Sequence, residues 1–282
     1  MAQQNELFVP YDDGLKILDV GSWAETKYKV VSLYTTLFSS GMKAKWGQRV
    51  YIDLYAGAGF SRIRDSDKLL AGSPILALTV PDRFDKYIFC ENDSDSFEAL
   101  KARATRIAPT ADISFVPGDC QEKISEIRSL IPKASSGHTV LSLCFVDPFD
   151  IGLHFSTIQA LSDMFIDFLV LLAVHMDAGR AYALYLDEDN TKVDNFLGSR
   201  DWRKRWRETE ERRFPEFLAM EFAQRMELLG YRSTPLHLMK KVRADDNNRP
   251  LYFLALFSRH QRAYQFWEQV LKYETEQTKL PF

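Results

Sequence analysis

Five short apolar runs recur along the chain: RVYIDLYA (49–56), YIFCE (87–91), ISFVP (113–117), VLSLCFV (140–146) and DFLVLLAV (167–174). They are rich in β-branched and aromatic residues and scarcely alternate with polar ones, a pattern that predicts strands covered on both faces. Between them the apolar spacing turns helical, in SPILALTV, DSDSFEALKARATRIA, CQEKISEIRSLI and FSTIQALSDMF. In the first of these Ser73 is the expected N-cap and Pro74 the first helical residue. Upstream, SWAETKYKVVSLYTTLFSS (22–40) reads as an amphipathic helix capped by Ser22. Strand and helix alternating in this way predict a doubly wound α/β sheet with right-handed crossovers.

The last third breaks the rhythm. Residues 203–229 read as a long helical region interrupted by Pro215. Two strand candidates follow, YRSTPLHLMKKV (231–242) and LYFLALFSRH (251–260), and the turn chemistry of ADDNNRP between them predicts an antiparallel pair. Five parallel-type strands followed by a hairpin is the order of the class I S-adenosylmethionine-dependent methyltransferase sheet. A dinucleotide dehydrogenase would continue with a second βαβ half. The expected fold is therefore a mostly parallel, seven-stranded, doubly wound sheet with an N-terminal helix and a C-terminal antiparallel hairpin. Residues 1–45 are expected as a helical extension, and 46–282 as the methyltransferase-like domain with a helical insertion at about 178–229.

With 282 residues, 46% of them hydrophobic, the chain can bury a large core. Its 36 basic and 39 acidic residues give a net charge of -3, which removes any global basic field but leaves room for a local patch. The start MAQQNELFVP has no basic, then apolar, leader pattern, and no run reaches the roughly 18 apolar residues of a membrane helix. A cytoplasmic protein without a membrane partner is expected. Cys90, Cys120 and Cys144 stand far apart along the chain without CxxC or histidine spacing, so they are expected as reduced, buried thiols with no metal.

Candidate chemistry gathers at the ends of the strands. DLYAGAG puts Asp53 inside the first strand and Tyr55, Ala56, Gly57 and Gly59 in the turn that leaves it, where open α/β sheets bind ligands. Glycine allows a sharp turn and a close approach, and a tight turn alone is the competing reading. Glu91, followed by Asn92, ends the second strand, where a carboxylate can accept both ribose hydroxyls. Asp119, followed by Cys120, ends the third, where it can meet an adenine amino group. A dinucleotide would require a third glycine and an immediate helix facing its pyrophosphate. Here Arg62 fills the glycine position, and the loop FSRIRDSDKLLAG delays the helix to Ser73. S-adenosylmethionine, with no phosphate to cradle, fits better.

The fourth strand ends in Asp147, Pro148 and Phe149. A carboxylate and a carbonyl can orient a planar amino group and an aromatic ring can stack on its base, so the three are the candidate catalytic residues for in-line methyl transfer. An Asp-Pro turn with a core phenylalanine is the plainer alternative.

Trp23, Lys27 and Tyr34, then YIDLYAGAGF, GSPILAL, FVDPF, NFLGSRDW and the late LFSRH and FW, resemble the three-cysteine-motif partner protein family over roughly residues 20–270. The resemblance implies a Rossmann-like methyltransferase fold and a functional link to a radical-SAM-like protein bearing three cysteines. This chain departs from the family's pattern at Tyr55, where phenylalanine is usual, and at Asp150, where glycine follows DPF. DPF followed by glycine is also similar to the motif of transfer-RNA guanine-N2 methyltransferases; adenine-N6 enzymes more often carry a second proline, absent here.

GSRDWRKRWRETEERRF (198–214) interleaves seven basic residues with Trp202 and Trp206. Arg200, Arg203, Lys204 and Arg205, extended by Lys240 and Lys241, are candidates for tracking a phosphate backbone, RNA or DNA. Four acids in the same window favour instead a solvated helix with buried tryptophans. His154 and His175 follow the fourth and fifth strands and read more readily as hydrogen-bonded structural residues than as a base, and Lys27 as an exposed helical lysine. The function expected from these residues is a methyltransferase acting on a nucleobase amino group. The alternatives are a non-catalytic cofactor-binding partner of the three-cysteine protein and a nucleic-acid-binding module.

Overall fold

The computed structural model describes residues 9–64, 66–210, 213–244 and 248–277, with backbone only for 176–181 and 275–277. Arg212, Glu211 and the middle of the ADDNNRP turn lie outside the described residues. The chain divides into two compact units, one of residues 1–145 with 269–282 and one of Val146–Glu268.

The first unit begins with β1 (Leu18–Val20), α1 (Ala24–Met42) and β2 (Gln48–Asp53). Next come β3 (Phe60–Ile63), β4 (Leu69–Ala71), α2 (Ser73–Leu78), β5 (Lys86–Glu91) and α3 (Ser94–Ile107). It closes with β6 (Ile113–Pro117), α4 (Ile124–Leu130) and β7 (Val140–Val146), whose last residue opens the second unit. β2 pairs in parallel with β5 and β7, and β5 with β6. β2, β5 and β7 are almost wholly buried, which is why their sequences run apolar without alternation. A chain of aromatic contacts, Phe38–Phe84–Tyr51–Phe89–Phe115–Phe97, fills the space between this sheet and its helices.

The second unit contains α5 (Phe155–Leu161), β8 (Ile166–Leu172), α6 (Val174–Tyr185), α7 (Lys192–Leu197), α8 (Trp202–Glu208) and α9 (Phe214–Leu228). After these come a 3-10 turn (Leu236–Leu238), β9 (Lys240–Arg243), β10 (Pro250–Phe257) and the start of α10 (Gln261–Gln277). β10 runs antiparallel to both β8 and β9. The seven-stranded sheet has the order β6-β5-β2-β7-β8-β10-β9, which is that of the class I methyltransferase fold. Among the described residues no helix is long and apolar enough to cross a membrane.

Several local expectations need correction. α2 is capped by Gly72, not Ser73, with Pro74 in its first turn; α1 starts at Ala24 with no side-chain cap from Ser22. The expected loop between Phe60 and Gly72 is a β3–β4 hairpin, which with β1 makes a separate three-stranded sheet. In 231–242 only the last residues are strand, because Pro235 leads into the 3-10 turn. Pro215 is the second residue of α9, in the first turn where backbone N–H groups have no intrahelical acceptor and a missing one costs little.

Asp167 on β8 is almost fully buried and hydrogen-bonded to Ser258, and burial outweighs that bond and Arg259 to push its carboxyl up to about 7. Arg259 is turned instead toward the carbonyls of Ser162, Met164 and Leu229. A raised carboxyl pKa means that the folded state keeps a proton the unfolded chain releases above its ordinary carboxyl pKa. Stability therefore falls as pH rises from that range to about 7, and then levels off. Urea unfolding at pH 5 and pH 8 should show the wild type losing on the order of 2 kcal/mol relative to an Asp167→Asn variant.

Candidate functional site

The turn after β2 is pinned residue by residue. Ala56 donates its N–H to the Cys90 carbonyl at 2.9 Å, and Gly57 donates to Oε2 of Glu91 at 2.7 Å. The Ala58 carbonyl accepts from Arg103 at 2.7 Å, and the Gly59 carbonyl from the Gly72 amide at 2.8 Å. Gly57 and Gly59 have φ of +64° and +83°, the left-handed region where a side chain is strained. A Cβ on Gly57 would meet Leu18, and one on Gly59 would meet Ile75 and Leu100, each at 3.3 Å. The conformation and the packing of this turn on the chain's own side chains both require glycine at these two positions.

Asp53 is fully buried, with Oδ1 accepting from the Tyr55 amide at 3.3 Å and Oδ2 from the Tyr51 hydroxyl at 3.4 Å. A carboxylate with no exposed surface shapes the turn from beneath; it is not the direct contact expected at the methionine end. Glu91, at the end of β5, is half-buried and clamps two amides, Gly57 through Oε2 and Asp93 through Oε1 at 2.8 Å. Beside it Asn92 is exposed, and the Asp93 side chain caps α3 by accepting from Ser96 at 2.8 Å. Asp119, half-buried beyond β6, accepts from Gln121 at 2.7 Å. β5 pairs with β6, Glu91 opposite Pro117, and the Gly118 amide donates to the Glu91 carbonyl at 2.9 Å. The structure thus brings Tyr55, Ala56, Gly57, Gly59, Glu91 and Asp119 to one end of adjacent strands.

The three cysteines, far apart in sequence, are free and buried on this part of the sheet. Cys120 is hydrogen-bonded to Tyr55, and the Cys90 thiol donates to the Gly118 carbonyl at 3.3 Å. Burial pushes the Cys120 thiol up to about 11 and raises the Cys90 and Cys144 thiols and the Tyr55 phenol well above their ordinary values. All four stay uncharged near neutral pH, so the strand ends that carry Glu91 and Asp119 also hold neutral polarizable groups in Tyr55, Cys90 and Cys120.

Two basic groups behave unlike their sequence reading. Lys27 is buried in α1, 4.3 Å from the centre of the Tyr28 ring and 5.5 Å from that of Trp23, not exposed on the helix. Arg103, which no motif singles out, is the fully buried group on the Ala58 carbonyl. A signal for it existed: Phe97, Leu100 and Ala104 define the apolar stripe of α3, and a cation on that stripe requires buried acceptors. One is Asp13, whose carboxyl the guanidinium groups of Arg103 and Arg106 hold well below the usual range.

In the second unit Asp147 and Pro148 directly follow β7, Asp147 half-buried and Pro148 buried, while Phe149 is 87% exposed, not a core residue. Asp150, where the family pattern has glycine, is paired with Lys192 at 2.7 Å and accepts from the Gly152 amide at 2.6 Å. His154 precedes α5; His175 opens α6 with its ring against Phe253 at 5.1 Å and Nε2 4.0 Å from Glu216. Burial depresses His175 to about 4, so it is a neutral imidazole.

The basic stripe divides by face. Trp202 and Trp206 are buried, meeting Phe214 in tilted and edge-on ring contacts, as the solvated-helix alternative anticipates. Arg203 is buried on Asp194, which also accepts from Trp202 Nε1 at 2.7 Å, and its Nη2 donates to the Asp187 and Asn190 carbonyls. Arg205 is engaged by the buried Glu221, and Lys241 by Glu216 at 2.9 Å with its ammonium 5.0 Å from the Phe253 ring centre. These three side chains are engaged in structural ion pairs rather than free to meet a phosphate backbone. Arg200 and Lys204 remain exposed and Lys240 half-buried. Arg203→Ala leaves the buried Asp194 with only the Trp202 Nε1–H bond and the exposed Arg200 at 3.7 Å, and urea unfolding should register a loss of about 3 kcal/mol.

No family model matches the chain, and no curated protein matches it. A crystal structure of a DUF519-family protein from Legionella pneumophila is similar at 13% identity, covering 89% of this chain and 91% of that one, with a TM-score of 0.51. An O-methyltransferase from Bacillus cereus in complex with SAH is similar at 9% identity, 87% and 84% coverage and a TM-score of 0.48. An O-methyltransferase of tomaymycin synthesis from Streptomyces achromogenes, in complex with SAM, gives 13% identity, 80% and 79% coverage and 0.41. At such identities the likeness concerns the fold, and the chain has the α/β fold of the class I methyltransferases, with a mixed seven-stranded sheet.

Proposed function

We propose that the chain is an S-adenosylmethionine-dependent methyltransferase acting on a nucleobase amino group in nucleic acid. The observation that carries the cofactor is the Glu91 carboxylate. A carboxylate has about four acceptor positions, of which the Gly57 and Asp93 amides fill two. The remaining capacity, on a half-buried group at a strand end, matches the two hydroxyls of a ribose. Asp119 and the uncharged Tyr55, Cys90 and Cys120 suit an adenine, a carboxylate for its amino group and neutral surface for its ring. The turn after β2 runs into the β3 strand, so no helix N-terminus follows it to receive a pyrophosphate, which disfavours a dinucleotide.

S-adenosylmethionine, when bound, supplies a methyl group activated on a sulfonium. The protein's part is to aim the acceptor. Asp147 and the Pro148 carbonyl accept the amino hydrogens, which directs the nitrogen lone pair, and the exposed Phe149 ring stacks on the base. Pairing of Asp150 with Lys192 removes a charge that would repel an electron-rich acceptor. Exposed Arg200 and Lys204 are the proposed phosphate contacts.

The alternative is a non-catalytic cofactor-binding protein that keeps this fold to bind a three-cysteine-motif partner. Tritiated methyl transfer to total RNA, DNA and protein separates the possibilities. Label in RNA or DNA supports the proposal, and label only in protein overturns the nucleobase acceptor. Cofactor binding with label in no pool favours the non-catalytic partner.

A further inference from the structure

The glycine turn is fixed from outside its own strand. Arg103 donates from Nη1 to the Ala58 carbonyl and to the Lys16 carbonyl, both at 2.7 Å, and from Nε and Nη2 to the two Asp13 oxygens at 3.0 and 2.6 Å. Its guanidinium lies 4.3 Å from the centre of the Phe60 ring, the first residue after the turn. One buried side chain thereby joins α3, the turn and the N-terminal stretch at Asp13–Lys16. That stretch continues into β1, which pairs with β3, and Leu18 packs where a Gly57 side chain would stand. A leucine would fill the same stripe of α3 without the desolvation penalty that a buried guanidinium carries. What leucine cannot do is hold a carbonyl between two left-handed residues. In a trans peptide C=O and N–H point in opposite directions, so fixing the Ala58 carbonyl also fixes the Gly59 amide.

We infer that Arg103 is a positioning residue for the cofactor: through the Ala58 peptide it sets the wall formed by the Gly57–Gly59 turn, with Asp13 holding the guanidinium in place. The inference rests on the reading of that wall as the S-adenosylmethionine site. The test compares S-adenosylhomocysteine affinity by calorimetry, urea stability, and amide exchange of the ligand-free turn in the wild type and in Arg103→Lys, Asp13→Asn and Arg49→Lys variants. Arg49 is an internal control: it is also buried, and it holds the Ser39 and Arg83 carbonyls and Asp85 at the opposite end of β2.

Arg103→Lys is expected to weaken binding by about tenfold or more and to speed exchange at Gly57–Gly59. Asp13→Asn, which leaves the arginine present, should shift both in the same direction. Arg49→Lys should lose stability yet bind within about threefold of the wild type. Unchanged affinity in Arg103→Lys, or an equal loss in Arg49→Lys, would overturn the inference while the cofactor reading stands. Absence of binding by the wild type overturns the cofactor reading itself. In that event unchanged exchange in Arg103→Lys would separately show that the guanidinium does not order the turn.

Discussion

Replacing Asp147 by alanine is expected to lower methyl transfer by about 100-fold or more while leaving S-adenosylhomocysteine binding unchanged. Asp147 lies outside the cofactor residues of the first unit, as the residue after β7, and Pro148 behind it is buried and so anchors the turn. A nucleobase amino nitrogen is a poor nucleophile because its lone pair is delocalised into the ring. An acceptor on its hydrogens both orients the group and favours the pyramidal nitrogen needed for attack. Removing that acceptor acts on the transferring step and not on cofactor affinity. Phe149→Ala should instead raise the acceptor's KM, since stacking of a base on an aromatic ring contributes about 1–3 kcal/mol. Single-turnover transfer of a tritiated methyl group, beside calorimetry of the same variant, distinguishes the two effects. Wild-type rates in Asp147→Ala would remove Asp147 from the mechanism.

Glu91→Gln is expected to weaken S-adenosylhomocysteine binding by about 100-fold, a large effect for a change of one atom. Both oxygens of Glu91 already accept backbone N–H groups, Gly57 on one and Asp93 on the other. An amide can keep only one oxygen, so its NH2 must face either the Gly57 or the Asp93 N–H, donor against donor. The side chain must then turn away, losing both the ribose acceptor and the pin on the turn. Hydrogen bonds to a charged group contribute about 1.5–3 kcal/mol each, which sets the scale. An affinity within threefold of the wild type would place the ribose elsewhere.

Much of this was legible in the sequence because it depends on local pattern. Buried parallel strands read as unbroken apolar runs, Glu91 and Asp119 fall at or just beyond the ends of β5 and β6 as their spacing predicts, and Pro215 marks the start of α9 within the long helical segment. The four acids among the basic residues of 198–214 correctly favoured buried tryptophans, since Trp202 and Trp206 face the core. What stayed hidden depends on partners distant in sequence. β1, β3 and β4 have three or four residues each, too short for a period to show, and β1 finds β3 only after the chain has passed through α1 and β2. Lys27 sits on the apolar stripe of α1 with Ala24, Val31 and Tyr34, yet only the fold supplies the rings that cover it. Arg203 and Arg205 look like free cations until Asp194 and Glu221 are brought against them. Its place beside the glycines suggests a ligand contact for Asp53, whereas its complete burial ties it to the Tyr51 hydroxyl and the Tyr55 amide beneath the turn.

The central claim is that the end of the sheet formed by β2, β5 and β6 is an S-adenosylmethionine site. Calorimetric titration of S-adenosylhomocysteine into the wild-type protein tests it most directly. The account predicts one saturable site per chain, weakened in Glu91→Gln; a well-folded protein that gives no binding isotherm, or one whose binding Glu91→Gln leaves untouched, would contradict it.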